Sequence, residues 1–179
     1  MAHISYMINK EELLFVVDEN NNPIAPKPRH QVHANGYWHR VAHIWVINLK
    51  RKVLCQKRSL LKDTNPGRWE PFFGGHIAPD IEYLGGAKIE IREELGIDLD
   101  EKNLKFWKVF KNQSAYEFQG IYIYIWNGRS EDIVFEKEEI DQVIWVSLAE
   151  VSKNVLEELN NNWSKMGYEK ELLEFILNI

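Results

Sequence analysis

The chain has one cysteine in 179 residues, Cys55. That excludes an intramolecular disulfide and any multi-cysteine zinc site, and it fits a reducing compartment. Cys55 lies in the strand-like segment KVLCQKR and reads as a small buried hydrophobe. Positive charge is not in excess either. The 22 Lys and Arg against 27 Asp and Glu leave a formal net charge of -5. The basic residues are scattered, so the stripe that duplex nucleic acid requires is missing, whereas a small phosphorylated ligand remains compatible. No apolar run reaches membrane-spanning length. The opening MAHISYMINKEELLF has neither a basic start nor an apolar stretch of signal-peptide length, so the expectation is a cytoplasmic protein with no membrane partner. Internal repeats are absent, and low complexity is confined to the asparagine clusters at 20–22 and 160–162.

What is present suffices for a core. A composition that is 45% hydrophobic supports one domain over residues 1–179, with 1–36 as an N-terminal strand and crossing segment and 147–179 as C-terminal helices. Segments rich in β-branched and aromatic residues predict strands at 13–17, 41–48, 53–56, 104–110, 120–126 and 142–146. Turns are expected at ENNNP, NLKRK and WNGRSED, and PKPRHQVHANG (26–36) reads as an irregular crossing. Helical patterns cover 82–95, 147 to about 160, with Ser147 as N-cap and Glu150 three residues on, and 168–177. Mixed strands and helices of this kind predict an α/β (α+β) arrangement with a mixed sheet and helices on its faces.

The stretch GGHIAPDIEYLGGAKIEIREELGI (74–97) carries the chemistry. On a helix, Glu90, Glu93 and Glu94 fall within a sector of about 100°. Leu84, Ala87, Ile91 and Leu95 form a separate apolar stripe, which leaves the carboxylates free for a cleft. A solvated acidic face is the alternative reading. Against it, like charges at i,i+4 cost about 0.2–0.5 kcal/mol, and anions in the last turn oppose the helix dipole by about 0.3–1 kcal/mol each. A hard divalent cation such as Mg²⁺ or Mn²⁺, shared with substrate phosphates, would relieve both.

These residues resemble the Nudix box: a glycine, five residues, a glutamate, seven residues, then Arg-Glu-aliphatic-any-Glu-Glu-any-Gly-aliphatic. Gly75, Glu90, Ile91, Glu93, Glu94, Gly96 and Ile97 fit it. VLCQKR and NPGRWEPFFGGHI are similar to the strand and loop before the box, and EEIDQVIWVSLAEV to the closing strand and helix. The resemblance implies an α/β/α sandwich with a catalytic loop-helix. It further implies Mg²⁺- or Mn²⁺-dependent hydrolysis, by metal-activated water, of a diphosphate bond in a nucleoside diphosphate derivative or related small metabolite. Glu90, Glu93 and Glu94 would be metal ligands and catalytic residues, with the backbone at Gly74 completing the coordination. Two positions depart from the pattern: Ile81 replaces the first glutamate and Ile89 the arginine. An apolar contact between the two isoleucines is expected in place of a polar one.

Segments upstream also resemble the isopentenyl-diphosphate isomerase branch, in which the positions of His39 and His76 bind metal. That chemistry needs a cysteine where Gly74 stands, so isomerisation is the least favoured activity. A weakly catalytic nucleotide-binding or regulatory domain is a further alternative. Among the remaining candidates, Arg58 would either bind phosphate or stand as an exposed basic strand end. Trp69 would either stack on a base or pack under its loop. His76 stands beside the metal loop, Glu117 would reach the cleft, and Glu139 lies where some family members draw a general base. His39 and His43 read better as structural histidines. The N-terminal strand and the aromatic IYIYIW are surfaces suited to a homodimer.

Overall fold

A computed structural model describes residues 12–157 and 160–178. The remaining parts of the expected N-terminal segment (1–11) and of the helix expected to reach about 160 (158–159), and residue 179, lie outside the described residues. The strands are β1 (Leu13–Leu14), β2 (Lys27–Pro28), β3 (His39–Ile47), β4 (Lys52–Arg58), β5 (Trp69–Glu70), β6 (Leu104–Asn112), β7 (Glu117–Ile125) and β8 (Ile140–Ser147). The helices are α1 (Arg29–Asn35), α2 (Tyr83–Leu95), α3 (Leu148–Leu156) and α4 (Glu169–Leu177). No helix among the described residues is long and apolar enough to cross a membrane.

β1 and β2 form a small antiparallel pair, and the other six strands form one mixed sheet in the order β5-β4-β3-β7-β6, with β8 alongside β4. β3 and β7 run parallel through nine residue pairs, from His39 opposite Glu117 to Ile47 opposite Ile125. The remaining neighbours are antiparallel. Side chains alternate across a strand, so each side of the sheet builds its own core. Trp45, Cys55, Ile121 and Ile123 pack under α3 and α4 with Val151, Tyr168 and Leu172. Ile44, Leu54 and Tyr122 pack under α2 with Ala87, Ile91 and Leu95. The result is helix, sheet and helix in three layers, with Cys55 fully buried as its sequence context predicts.

β3 and β4 pair only at Ile47 and Val53 before they diverge. The fork they leave is filled by residues 73–76, which pair with β3 through Ile44–Phe73 and Val41–His76. The amides of Ile44 and Phe73 exchange hydrogen bonds (2.8 and 2.9 Å), and Ala42 N–H donates to Gly75 O (2.9 Å). The loop that carries the chemistry is therefore built into the sheet.

Two expectations are corrected. The crossing segment 26–36 contains helix α1. Proline reads as a breaker, but Pro28 stands at the helix entrance, where its missing N–H costs nothing, and Gly36 at φ 63° ends the helix in the left-handed region. The apolar stripe of α2 is also different: Leu84 is 37% exposed, and Gly86 takes its place against Ile77. Ser147 caps α3 as expected, accepting from Glu150 N–H at 3.2 Å, although the helix ends at Leu156.

Candidate active site

Gly74 and Gly75 face the last two turns of α2. Gly74 has φ 140°, and a Cβ there would lie 1.9 Å from the carbonyl oxygen of Ala42. With no side chain in the way, Gly74 N–H points at α2 and donates to Glu94 Oε2 at 2.7 Å. At Gly75 the place of a side chain is taken by Glu90, whose carboxylate oxygens would lie 2.8 and 2.9 Å from an added Cβ. Glu93 is exposed on the same end of the helix. The sequence thus supplies two glycines so that two carboxylates can close on bare backbone.

The electrostatics are those of crowded acids. Burial, then the neighbouring charges of Glu93, Glu12 and Glu139, push the Glu90 carboxyl up to about 8, and Lys62 opposes the shift. Glu94 is raised well above the ordinary carboxylate range by burial and by Glu90, against the stabilising Gly74 hydrogen bond. The folded chain holds these protons where the unfolded chain has released them, so stability falls as pH rises from about 4.5 towards 8. In chelator-treated protein, Tm is expected to decline across that window, and Glu90→Gln should flatten the decline. Added Mg²⁺ should restore the wild-type Tm at pH 8. An unchanged slope in Glu90→Gln, read by calorimetry, would contradict this picture.

Lys62, from the loop after β4, ion-pairs with Glu139 at the start of β8. Ser59 N–H also donates to Glu139 O (3.0 Å), which ties that loop to the same point. Arg58 stands elsewhere in this arrangement. Its Nε and Nη2 donate to Thr64 O and Oγ1 (2.9 and 3.2 Å), and its Nη1 pairs with Glu70 at 3.2 Å. Glu70 is 3% exposed and also accepts from Ser164 Oγ at 2.9 Å. All three guanidinium nitrogens are thus committed to holding the loop and the C-terminal segment, and the cation left facing the carboxylates is Lys62. Trp69 stacks on Trp163 with ring centroids 6.1 Å apart and packs, partly buried, against the core under α3 and α4, in line with the packing alternative. Ile81 lies against Gly85 and the second core, whereas Ile89 is 42% exposed beside Lys88 and Arg92. The expected apolar pairing therefore does not form a buried contact.

The structure also assembles residues that the sequence left apart. His33 on α1, His39 on β3 and His76 after the glycine pair place their ring nitrogens within 4.8 Å of one another. His33 Nε2 and His76 Nε2 are 3.0 Å apart, and Glu117 Oε1 is 3.7 Å from His39 Nε2. Glu12 Oε1 lies 3.8 Å from His76 Nδ1. Burial pushes His39 down to about 4 and His76 well below its ordinary value, which keeps both rings neutral. His43, by contrast, is a core residue: its Nδ1 meets Tyr168 Oη at 3.0 Å and its ring stacks on Phe72. Reading 26–36 as irregular hid the i,i+4 spacing that sets Arg29 and His33 on one face of α1. Glu12 and Lys62 sit in segments with no local pattern to mark them.

Comparison with known proteins agrees with this geometry. The NUDIX domain family model matches residues 37–166. An uncharacterized Nudix hydrolase of Clostridium acetobutylicum is 31% identical over 153 residues, covering 80% of this chain and 74% of the relative. An isopentenyl-diphosphate Delta-isomerase of Aromatoleum aromaticum is 27% identical over 150 residues, covering 81% and 77%. A crystal structure from Deinococcus radiodurans superposes with a TM-score of 0.74 at 18% identity, over 92% of this chain and 98% of that one, which bears on the fold alone. The carboxylates of α2 closing on Gly74 and Gly75, the three-layer fold and these matches lead to one conclusion: the chain belongs to the Nudix hydrolase family, whose members act generally on pyrophosphate-type bonds.

Proposed function

We propose that this chain hydrolyses the diphosphate bond of a nucleoside diphosphate derivative or a related small phosphorylated metabolite, using Mg²⁺ or Mn²⁺ at Glu90, Glu93 and Glu94. The observation that carries the reading is the closure of Glu94 on Gly74 N–H and of Glu90 on Gly75, next to a third carboxylate. This donor set is all oxygen and suits a hard cation, with the Gly74 carbonyl as a further ligand. The bound ion would supply charge neutralisation for the diphosphate and acidify water at the reacting phosphorus.

The chain's own groups do the rest. Lys62 leaves Glu139 for a phosphate oxygen of the substrate, and Glu139, thereby released, accepts a proton from the attacking water. Glu94 is held in register by Gly74 N–H, so its position does not depend on the ligand. Gly74 offers no thiol, so carbon acid-base chemistry lacks its donor, which supports hydrolysis over isomerisation. The single reduced cysteine is in keeping with a cytoplasmic location.

The test is a panel of nucleoside diphosphate derivatives, sugar nucleotides and prenyl diphosphates, each with Mg²⁺ or Mn²⁺, read by the phosphomonoesters formed, as inorganic phosphate after added phosphatase. Metal-dependent turnover of at least one compound is expected. Tight binding without turnover across the panel would reassign the chain as a metabolite-binding domain.

A further inference from the structure

The loop that brings Lys62 to the carboxylates has no regular structure of its own. Its internal bonds are short-range turns: Leu61 N–H donates to Ser59 Oγ (3.2 Å), Lys62 N–H to Ser59 O (3.3 Å) and Arg68 N–H to Asn65 O (3.2 Å). Four ties hold it to its surroundings. Lys62 pairs with Glu139, Asp63 with Arg29 at 3.6 Å, Ser59 N–H donates to Glu139 O, and the Arg58 guanidinium donates twice to Thr64. Asp63 is exposed, so its pair contributes little. The Lys62–Glu139 pair is the one that a phosphate displaces. Once it opens, the grip of Arg58 on Thr64 holds the far side of the loop, next but one to Lys62 in the chain.

A buried carboxylate sets that grip. Glu70 ends β5, is 3% exposed and commits both oxygens inside the protein, Oε2 to Arg58 Nη1 (3.2 Å) and Oε1 to Ser164 Oγ (2.9 Å). A guanidinium is planar, so an anion on Nη1 fixes the plane in which Nε and Nη2 meet Thr64. β5 is itself pinned from two sides. It pairs with β4 through Gln56–Glu70 and Lys57–Trp69, and Trp69 N–H donates to Asn162 O (2.8 Å) while Ser164 N–H donates to Trp69 O (2.9 Å). Glu70 is thus a rigid point from which the loop can be aimed.

Stability does not explain why a charge stands there. Burial pushes the Glu70 carboxyl up, against the pull of Arg58 and Ser164, and a well-packed apolar residue commonly supports a fold as well as a buried ion pair does. Geometry is what an ion pair adds. Glu70 also lies within electrostatic range of both Lys62 and Glu94, so the charge sits among the elements that form the site.

We propose that Glu70 is a positioning residue for phosphate binding: through Arg58 and Thr64 it sets where Lys62 stands after Lys62 has left Glu139 for the substrate. This rests on the phosphate role given to Lys62 above. Glu70 itself reaches neither substrate nor metal. The C-terminal segment enters the same chain of contacts through Ser164 and so helps to aim one ammonium group.

The probe is methylenediphosphonate, a diphosphate analogue that resists hydrolysis, titrated calorimetrically into the full-length chain in saturating Mg²⁺. Lys62→Ala should weaken binding about 10- to 100-fold, as loss of one charge-assisted contact does. Glu70→Gln keeps the side-chain size and an oxygen for Ser164 but leaves Arg58 without its anion, and should weaken binding about tenfold through misplacement of the contact. Arg58→Lys should do the same, because an ammonium cannot span Glu70 and Thr64 together. It leaves the net charge unchanged, so a loss there is not an electrostatic effect on Glu94, and it carries the test if Glu70→Gln does not fold. The deciding measurement is the cycle with Lys62→Ala. In that background both substitutions should change affinity by less than about twofold, because effects that run through one contact do not add. Losses of equal size with and without Lys62, or wild-type affinity in folded Arg58→Lys, would overturn the positioning role while Mg²⁺-dependent binding by the wild type leaves the hydrolase reading standing. Failure of the wild type to bind the diphosphonate would instead remove the phosphate role of Lys62, and the proposal with it.

Discussion

Glu94→Gln is expected to lose hydrolysis by roughly 100-fold or more, beyond the 10- to 100-fold that loss of an outer partner of a metal ligand brings, while the protein becomes more stable without metal. The substitution keeps a side-chain oxygen for Gly74 N–H, so the 2.7 Å hydrogen bond and the loop-helix register survive. What goes is the negative charge. In the folded chain that charge is penalised, because burial and Glu90 hold the carboxyl well above its ordinary range. A group whose folded pKa is raised costs stability once pH exceeds its unfolded value, and a neutral isostere removes the cost. Activity and stability should therefore move in opposite directions at pH 8, measured as kcat and as Tm in chelator. Full activity would remove Glu94 from the catalytic set, and a lower Tm would show that its charge supports the fold.

Gly74→Ala should be destabilising by about 3 kcal/mol or more, a loss in Tm of roughly 6–12 °C for a chain of this size. Two independent effects add at this position. The φ of 140° is open to glycine and strained for alanine, and the new methyl would stand 1.9 Å from Ala42 O, a backbone atom that cannot rotate away. β3 cannot yield, because it is fixed in nine parallel pairs with β7. Gly75→Ala is a milder comparison, since there the neighbour is the end of the Glu90 side chain and the first effect is on metal binding. Equal Tm values for Gly74→Ala and wild type in calorimetry would contradict the fork geometry.

The sequence carried much of this, unevenly. α2 was readable because its signals are local: an apolar stripe, three glutamates at helical spacing and a closing Gly96 in the left-handed region. The long strands were readable for the same reason, with bounds short by a few residues where the pairing continues past the apolar runs into polar residues such as His39, Arg40, Lys57, Arg58 and Glu117. β5 is two residues long and exists only through its pairing with β4, so no periodicity could announce it. Arg58 illustrates a different limit. Its place at the end of a strand before a loop suggested phosphate, and the buried Glu70 twelve positions on decides that it serves the scaffold. The histidine cluster gathers α1, β3 and the glycine loop, three segments brought together by the sheet rather than by spacing along the chain.

The fork between β3 and β4 also divides the site into parts of unequal freedom. Its floor, residues 73–76, is hydrogen-bonded into the sheet, so it cannot swing away without breaking its backbone hydrogen bonds to β3. The opposite wall, residues 59–67, is anchored at Lys62–Glu139, Arg29–Asp63 and the Arg58 contacts, and it leaves Leu60 and Leu61 80% and 76% exposed. Adjustment to an incoming molecule therefore falls to this wall. Reaction geometry is set by the rigid half, and the size and shape of what is admitted are set by the half that can yield.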